Sequence, residues 1–306
     1  MADSQHITVL LNEAVAALVT DPSGFYVDGT FGRGGHSALV MQQLSADGRL
    51  LGIDKDLAAI ATAKTRFADD ARFAIAHGSF AELAQLVAER DMTGKVAGVL
   101  LDLGVSSPQL DEAERGFSFM QDGPLDMRMD NSQGETAAEW LLQIEEEALA
   151  NIIFKYGEER YSRRIAKAIK NAGLIETTGQ LAEIVKTAHP KWEKHKHPAT
   201  RTFQAIRIAI NKELEDIDIF LPQAVEVLKP EGRLVVISFH SLEDRLIKQF
   251  IQKESSLAED TGWGLPQVQQ DTRRLKKIAR IRASEEEVKA NPRSRSAWLR
   301  VAEKLA

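Results

Sequence analysis

Short apolar runs recur along the first hundred residues, each separated from the next by an amphipathic stretch. The runs lie at 25–27, 50–53, 72–76 and 96–101. Between them, 37–44, 57–68 and 80–90 carry apolar residues at helical spacing. Runs of this kind suit strands buried on both faces of a parallel sheet. Strand and helix in alternation predict a doubly wound α/β sheet. After 101 the alternation stops. The stretches 137–142, 145–155, 161–172 and 178–188 read as successive helices, punctuated by Gly157, Gly173 and Gly179. A helix over about 201–221 follows, then a turn at 229–232 and a returning strand at 233–237. The pattern predicts a Rossmann-like sheet domain, 1–114 with 201–306, interrupted by an all-helical insertion at 115–200. The last segment, 296–304, fits an edge strand or a short helix equally well.

Composition narrows the class. A chain of 306 residues with 43% hydrophobic content makes one large or two modest globular domains. No apolar run approaches the roughly 18 residues of a membrane span. No basic segment followed by an apolar one marks a leader at the start of the sequence. The absence of cysteine rules out disulfides and cysteine-bound zinc, and fits a cytoplasmic enzyme. The net charge of −6 does not by itself suggest nucleic acid.

The charge is uneven, however. Residues 273–282 hold six basic side chains (Arg273, Arg274, Lys276, Lys277, Arg280, Arg282) and no acidic one. A second stretch, 191–201, carries Lys191, Lys194, Lys196 and Arg201 beside His195 and His197. Each reads as a solvated face or as a contact for phosphates, because local patches rather than net charge decide that contact. Two histidines flanking Lys196 can ligate a metal, but among lysines they read as basic surface, and no metal is expected.

Candidate chemistry gathers where the strands end. The first run ends in Asp28-Gly29-Thr30-Phe31-Gly32-Arg33-Gly34-Gly35-His36. Glycines there let backbone approach a ligand closely, and the helix that follows offers unpaired N–H groups to an anion. The loop lacks the Gly-Lys-Ser/Thr ending of a nucleotide P-loop. The second run ends at Asp54, placed to accept ribose hydroxyls in a doubly wound fold or to cap the next helix. Phe80, after the third run, covers an adenine or belongs to the core. The fourth run ends in a polar burst, Asp102-Leu103-Gly104-Val105-Ser106-Ser107-Pro108-Gln109. The carboxyl end of a central strand is where open α/β sheets place their chemistry.

Five strings together resemble the bacterial 16S ribosomal RNA cytosine-N4 methyltransferases: DGTFGRGGHS at 28–37, LDLGVSSPQL at 101–110, RGFSFMQDGPLDMRM at 115–129, HPATRTFQAIR at 197–207 and ISFHSLED at 237–244. The resemblance runs from about residue 6 to 303; residues 257–270 look least like the family. It implies a class I methyltransferase domain with a helical inserted domain that recognises the substrate. It also implies S-adenosyl-L-methionine as cofactor and a cytosine in the decoding centre of the small ribosomal subunit as target. Gly34, Gly35 and His36 would contact the methionine end of the cofactor and Asp54 its ribose. Phe80, Asp102 and Gln109 would complete the pocket.

Transfer to the cytosine N4 requires alignment of amine, methyl and sulfur, with acceptors around the amine. Asp102, Ser106 and His240 are the candidates, though His240 equally fits a structural hydrogen bond at its strand end. Phosphate contacts are expected from Lys194, Arg201, Arg207, Arg273, Arg274, Lys276 and Lys277. The sequence leaves a homodimer open.

Three other classes compete. An NAD-dependent oxidoreductase would need a hydride-transfer constellation that is not seen. A non-catalytic RNA-binding protein would not need the intact glycines and the pair Asp54 and Asp102. Enzymes that methylate amines of DNA bases typically carry an acidic or serine residue followed by Pro-Pro and an aromatic, where this chain reads Leu103-Gly104-Val105-Ser106-Ser107.

Overall fold

A computed structural model describes residues 8–191, 197–257 and 271–306. In chain order the elements are α1 (Leu11–Leu18), β1 (Phe25–Asp28), α2 (Gly35–Gln43), β2 (Arg49–Asp54), α3 (Leu57–Arg66), β3 (Phe73–His77), α4 (Leu83–Ala88) and β4 (Val96–Asp102). Then come α5 (Ser107–Asp111), α6 (Ala137–Gln143), α7 (Glu146–Gly157), α8 (Ser162–Ala172), α9 (Thr178–Ala188), α10 (Ala199–Asn211) and α11 (Glu213–Val227). The chain closes with β5 (Leu228–Ser238), α12 (Ser241–Glu254), β6 (Leu275–Arg282), α13 (Glu285–Ala290) and β7 (Trp298–Lys304). No helix among the described residues is long and apolar enough to cross a membrane.

The chain divides into two compact units, 1–104 with 215–306, and 105–214. The hydrophobic pattern alone puts those boundaries at 115 and 200. The first unit is built on a seven-stranded sheet of order β3-β2-β1-β4-β5-β7-β6. Strands β1 to β5 run parallel, while β7 is antiparallel to both β5 and β6. The chain leaves β1 towards one edge and returns through β4 on the other side, so the switch point lies between β1 and β4. Ligands of open α/β sheets bind outside the carboxyl ends at such a point. The core strands are apolar throughout: in β4 every residue from Val96 to Leu101 is buried. Leu10, Val15, Leu18, Tyr26 and Leu100 pack on one face with Val235, Ile237 and Leu299.

The segment 296–304 resolves to a strand that is interior rather than an edge, inserted between β5 and β6. The true edge is β6, where the sequence shows only a basic run. Its residues Lys276, Lys277, Arg280 and Arg282 are exposed, and charged side chains are how natural sheets protect an edge from further pairing. The second unit packs α6 to α10 around Leu149, Ile153, Ile165, Ile169, Leu181 and Phe203. The stretch 201–221, which reads as one helix in sequence, is two helices. Lys212 at the break adopts φ 53°, left-handed, and the Asn211 side chain is drawn aside to donate to the Met127 carbonyl at 2.8 Å and accept from Met129 N at 2.7 Å. The short helix α1 is not among the elements that the sequence pattern predicts.

Candidate active site

Three neighbouring strands, β2, β1 and β4, each end in an aspartate. Because the strands are parallel, the three carboxylates arrive at the same edge of the sheet, at the switch point. Asp28 is 2% exposed. It accepts from Ser37 Oγ at 2.6 Å and from Thr30 N at 3.2 Å, and so ties the glycine loop to helix α2. Burial, only partly offset by those bonds, pushes its carboxyl up to about 6.

Asp54 accepts from Gly32 N at 2.7 Å on one oxygen and from Asp56 N at 2.8 Å on the other. With about four lone-pair sites on its two oxygens, the carboxylate keeps acceptor capacity for a ligand hydroxyl beyond these bonds and a further one from the Lys55 backbone. Burial again dominates and raises this carboxyl to about 6. The capping role that the sequence leaves open to Asp54 belongs to Asp56, whose side chain accepts from Ala58 N and opens α3.

Asp102 is held differently. Its backbone N donates to Thr30 Oγ1 at 2.6 Å. One carboxylate oxygen lies 3.7 Å from Nδ1 of His36, and the residue is about a quarter exposed (26%). The other oxygen, Oδ1, is buried with no hydrogen-bond partner. Desolvation, then the charges of Asp28 and Glu243, hold the Asp102 carboxyl well above the ordinary carboxylate range. A buried carboxylate oxygen without a partner is costly, so this position favours a cation or a donor group of a ligand. Perturbed groups of this sort cluster where chemistry occurs.

The loop between β1 and α2 completes the cradle. Gly34 sits at φ 72°, and a Cβ there would lie 2.5 Å from the Phe31 ring. Phe31 itself is wedged against Phe67 and Phe73. Gly34 caps α2 with no side-chain bond, and the first turn of α2, which begins Gly35-His36, contains no acidic residue. No acidic side chain of that turn neutralises the positive end of the helix, which favours a carboxylate there. On the other side of β2, Phe80 is half-buried edge-on to Phe220, with ring centroids 5.6 Å apart. Lys55 Nζ lies 5.9 Å from the Phe80 ring and pairs with Asp216 at 2.5 Å; Asp216 also accepts from Ser79 Oγ at 2.7 Å. No local motif marks Asp216, which comes from 137 residues further along the chain than Ser79.

After β4, Gly104 turns the chain at φ 96°. Ser106 and Gln109, in the second unit, form a capping box for α5: Ser106 Oγ accepts from Gln109 N, and Gln109 Oε1 accepts from Ser106 N at 2.9 Å. Gln109 is 5% exposed. His240 caps α12. Its Nδ1 accepts from Glu243 N at 3.5 Å, and its Nε2 lies 2.9 Å from Glu243 Oε1 without alignment for a hydrogen bond. The buried Glu243 accepts from Phe239 N and His240 N through its other oxygen.

The basic residues are dispersed. Lys194, with His195 and Lys196, lies outside the described residues, as does most of the stretch 257–270. Arg207 makes a two-pronged pair with Glu213 at 2.7 and 2.9 Å. Arg201 lies 3.6 Å from the buried Glu159. Arg273 pairs with Asp271 at 2.6 Å and Arg274 with Glu254 at 2.5 Å. Lys277 bonds the Gln252 side chain, and Lys276 is 62% exposed, 3.8 Å from Glu303. Arg280 and Arg282 stack on the Trp298 ring at 3.5 and 4.9 Å, a pairing across β6 and β7 that the linear basic run conceals.

A doubly wound sheet with an antiparallel β7, a glycine cradle at the start of α2 and carboxylates ending β1, β2 and β4 defines a Rossmann-like class I methyltransferase that uses S-adenosyl-L-methionine. Sequence comparison carries this further. A sequence model of the MraW methylase family matches residues 3–305, and the chain belongs to that family. It is 74% identical over 301 residues to ribosomal RNA small subunit methyltransferase H of Acinetobacter baylyi, covering 98% of this chain and 99% of that protein. The protein of the same name from Acinetobacter baumannii strain ATCC 17978 is 71% identical, with 98% of each chain covered. Among solved structures, an rRNA methylase from Streptococcus thermophilus aligns over 96% of this chain and 92% of that one, with 12% identity and a TM-score of 0.42. That likeness is too loose to bear on the site.

Proposed function

We propose that the chain transfers a methyl group to the N4 amine of one cytosine in the 16S ribosomal RNA of the small ribosomal subunit, in its decoding centre. The observation that carries the reading is the partnerless Oδ1 of Asp102 at the carboxyl end of β4, in the strand-end position where such folds act. The names of the Acinetobacter relatives support the substrate.

The bound cofactor supplies an electrophilic methyl group on a sulfonium. The N-terminus of α2, with Gly34, Gly35 and His36, receives the methionine carboxylate. Asp54 receives the ribose hydroxyls and Phe80 flanks the adenine; Gln109 is assigned to the same cofactor. Asp102 accepts from the target amine and takes up its proton, which its raised proton affinity favours. The Ser106 hydroxyl and His240 are further acceptors for the base or its backbone. An exposed cytosine is required, because N4 inside a pairing cannot reach the methyl group.

Labelled cofactor incubated with small subunits and with naked 16S RNA, followed by nucleoside analysis, tests the reading. N4-methylcytidine is the expected product. 5-Methylcytidine would overturn it, and the chain has no cysteine to serve as the nucleophile for attack through C5.

Two further outcomes belong to this reading. Affinity for S-adenosylhomocysteine weakens as pH falls through about 6, because protonation of Asp54 removes charge from the acceptor that holds the ribose. The sign follows from a raised carboxyl pKa: the ionised, binding-competent form dominates only above it. Calorimetry between pH 5 and 8 checks this, and a flat profile would contradict it. For RNA, replacing Arg273, Arg274, Lys276 and Lys277 with Gln is expected to flatten the dependence of binding on salt. The slope falls by about 0.7 log units per log unit of salt for each single-strand phosphate no longer neutralised. An unchanged slope would make this patch a solvated edge only. Arg201, Arg207 and Lys194 are assigned to the same phosphate-binding role. The enzyme works in the cytoplasm, as a homodimer or as a monomer that sedimentation distinguishes.

A further inference from the structure

The helical unit carries a cationic surface that the linear charge pattern does not single out. Helix α8 reads Ser-Arg-Arg-Ile-Ala-Lys-Ala-Ile-Lys-Asn-Ala, with four cations and no acid. Ile165, Ala166 and Ile169 bury one face in the core of the unit. Helical periodicity then fixes Arg163, Arg164 and Lys167 on the opposite, exposed face. Lys170 is consumed structurally, donating to the Leu141 and Leu142 carbonyls at 2.9 Å each. No ion pair engages Arg163, Arg164 or Lys167 among the described residues. This contrasts with Arg207, Arg273 and Arg274, each of which is already held by a carboxylate.

Beside this face lies a groove of about 710 Å³ between α8 and α9. One wall presents Arg164, Lys167 and Asn171; the other presents Gln180 and Thr187. The single acid on the groove among the described residues, Glu183, is paired with Lys186 at 2.8 Å, so the groove stays positive. Ile175 and Ile184 form apolar floor between the polar walls. Cations that find no carboxylate, set with amide and hydroxyl groups over an apolar floor, match a chain of phosphates and riboses. Guanidinium and ammonium groups take phosphate oxygens, amides and hydroxyls take 2′-hydroxyls, and the floor takes sugar faces. A protein partner complementary to this surface would have to be acidic, and a membrane surface would call for a broader exposed apolar patch than the one that Leu174 offers at the groove.

We propose that the α8–α9 groove binds the phosphate–ribose backbone of the RNA substrate, with Arg163, Arg164 and Lys167 gripping the phosphates. The proposal rests on the reading of the chain as an RNA methyltransferase and adds where the helical unit holds its substrate. The test compares the full-length protein with its R163Q/R164Q/K167Q variant, using 16S RNA transcript and small subunits. With three phosphates no longer neutralised, the slope of log binding constant against log salt becomes shallower by about 2. KM for RNA rises about tenfold or more, while kcat stays within about twofold and affinity for S-adenosylhomocysteine is unchanged, because these residues touch neither the cofactor nor the base.

A second variant, R163K/R164K, keeps the charge and is expected to retain most of the salt slope, as a merely structural role for the guanidiniums would not. Should the triple variant fold poorly, K167Q alone carries the test, with a slope change of about 0.7. A wild-type slope and KM in a folded charge-removed variant overturn the proposal. If instead the unmodified protein methylates no RNA at all, the functional reading fails, and the same salt titration of RNA binding still decides whether the groove holds the backbone.

Discussion

Asp54→Ala is expected to weaken S-adenosylhomocysteine binding by roughly 10- to 150-fold, the effect of losing a charged hydrogen bond of about 1.5–3 kcal/mol. The carboxylate is anchored by Gly32 N and Asp56 N, so it is already ordered before any ligand hydroxyl arrives. The same anchoring means that the substitution also loosens the glycine loop, because Gly32 N loses its acceptor. Asp54→Asn separates the two effects. It preserves shape and an acceptor, binds more tightly than the alanine variant, and loses the pH dependence centred near 6. Calorimetry on both variants, with melting curves as a fold control, makes the comparison. Wild-type affinity in a folded Asp54→Ala protein would remove Asp54 from the cofactor site.

Asp102→Asn is expected to lower kcat by about 100-fold or more, within the range for loss of a positioned proton acceptor. The asparagine is isosteric and retains the backbone bond to Thr30 Oγ1. It no longer takes a proton from the amine. The stability effect has the opposite sign. Asp102 faces the charges of Asp28 and Glu243 and has an oxygen buried without a partner, so a neutral side chain relieves repulsion and desolvation. The unliganded variant should melt at a temperature equal to or above that of the wild type, as at sites where function is kept at the expense of stability. Steady-state kinetics on small subunits and a thermal melt check both halves. A kcat equal to wild type would assign Asp102 to cofactor binding alone, and KM for the cofactor would then carry the change.

The sheet half of the fold is legible because its strands are nearly uninterrupted apolar runs. Runs of that kind occur where both faces are covered, as in β1, β2 and β4, and the aspartates ending these three mark where the chain leaves the core; the run at 72–76 reads the same way but forms the edge strand β3, which is only partly buried. Asp28, Asp54 and Asp102 can therefore be placed at strand ends from the sequence, and the parallel alternation already implies that they share one edge of the sheet. The glycine loop and the helical character of the middle segment are legible for the same local reasons, from turn chemistry and from the 3.6-residue period. The family resemblance adds the cofactor and the substrate class.

Other features depend on contacts that no local pattern encodes. Strand β6 is hidden because an exposed edge is charged, and its pairing to β7 is a long-range event that also stacks Arg280 and Arg282 on Trp298. The break at Lys212 is invisible because Asn211, an ordinary helix residue in sequence, is recruited by backbone groups more than 80 residues away. His240 has two readings of equal standing in sequence, and the fold places its ring on the first turn of α12. Which cations are already satisfied is also a tertiary matter. Along the chain Arg207, Arg273 and Arg164 look alike, but ion pairing is decided by where carboxylates arrive in space. Sequence by itself determined the burial pattern, and with it the architecture and the strand-end carboxylates, because burial is written residue by residue in side-chain polarity. Tertiary structure alone decided which polar groups are paired and which are left over, because a partner is a position in space and not a neighbour in the chain.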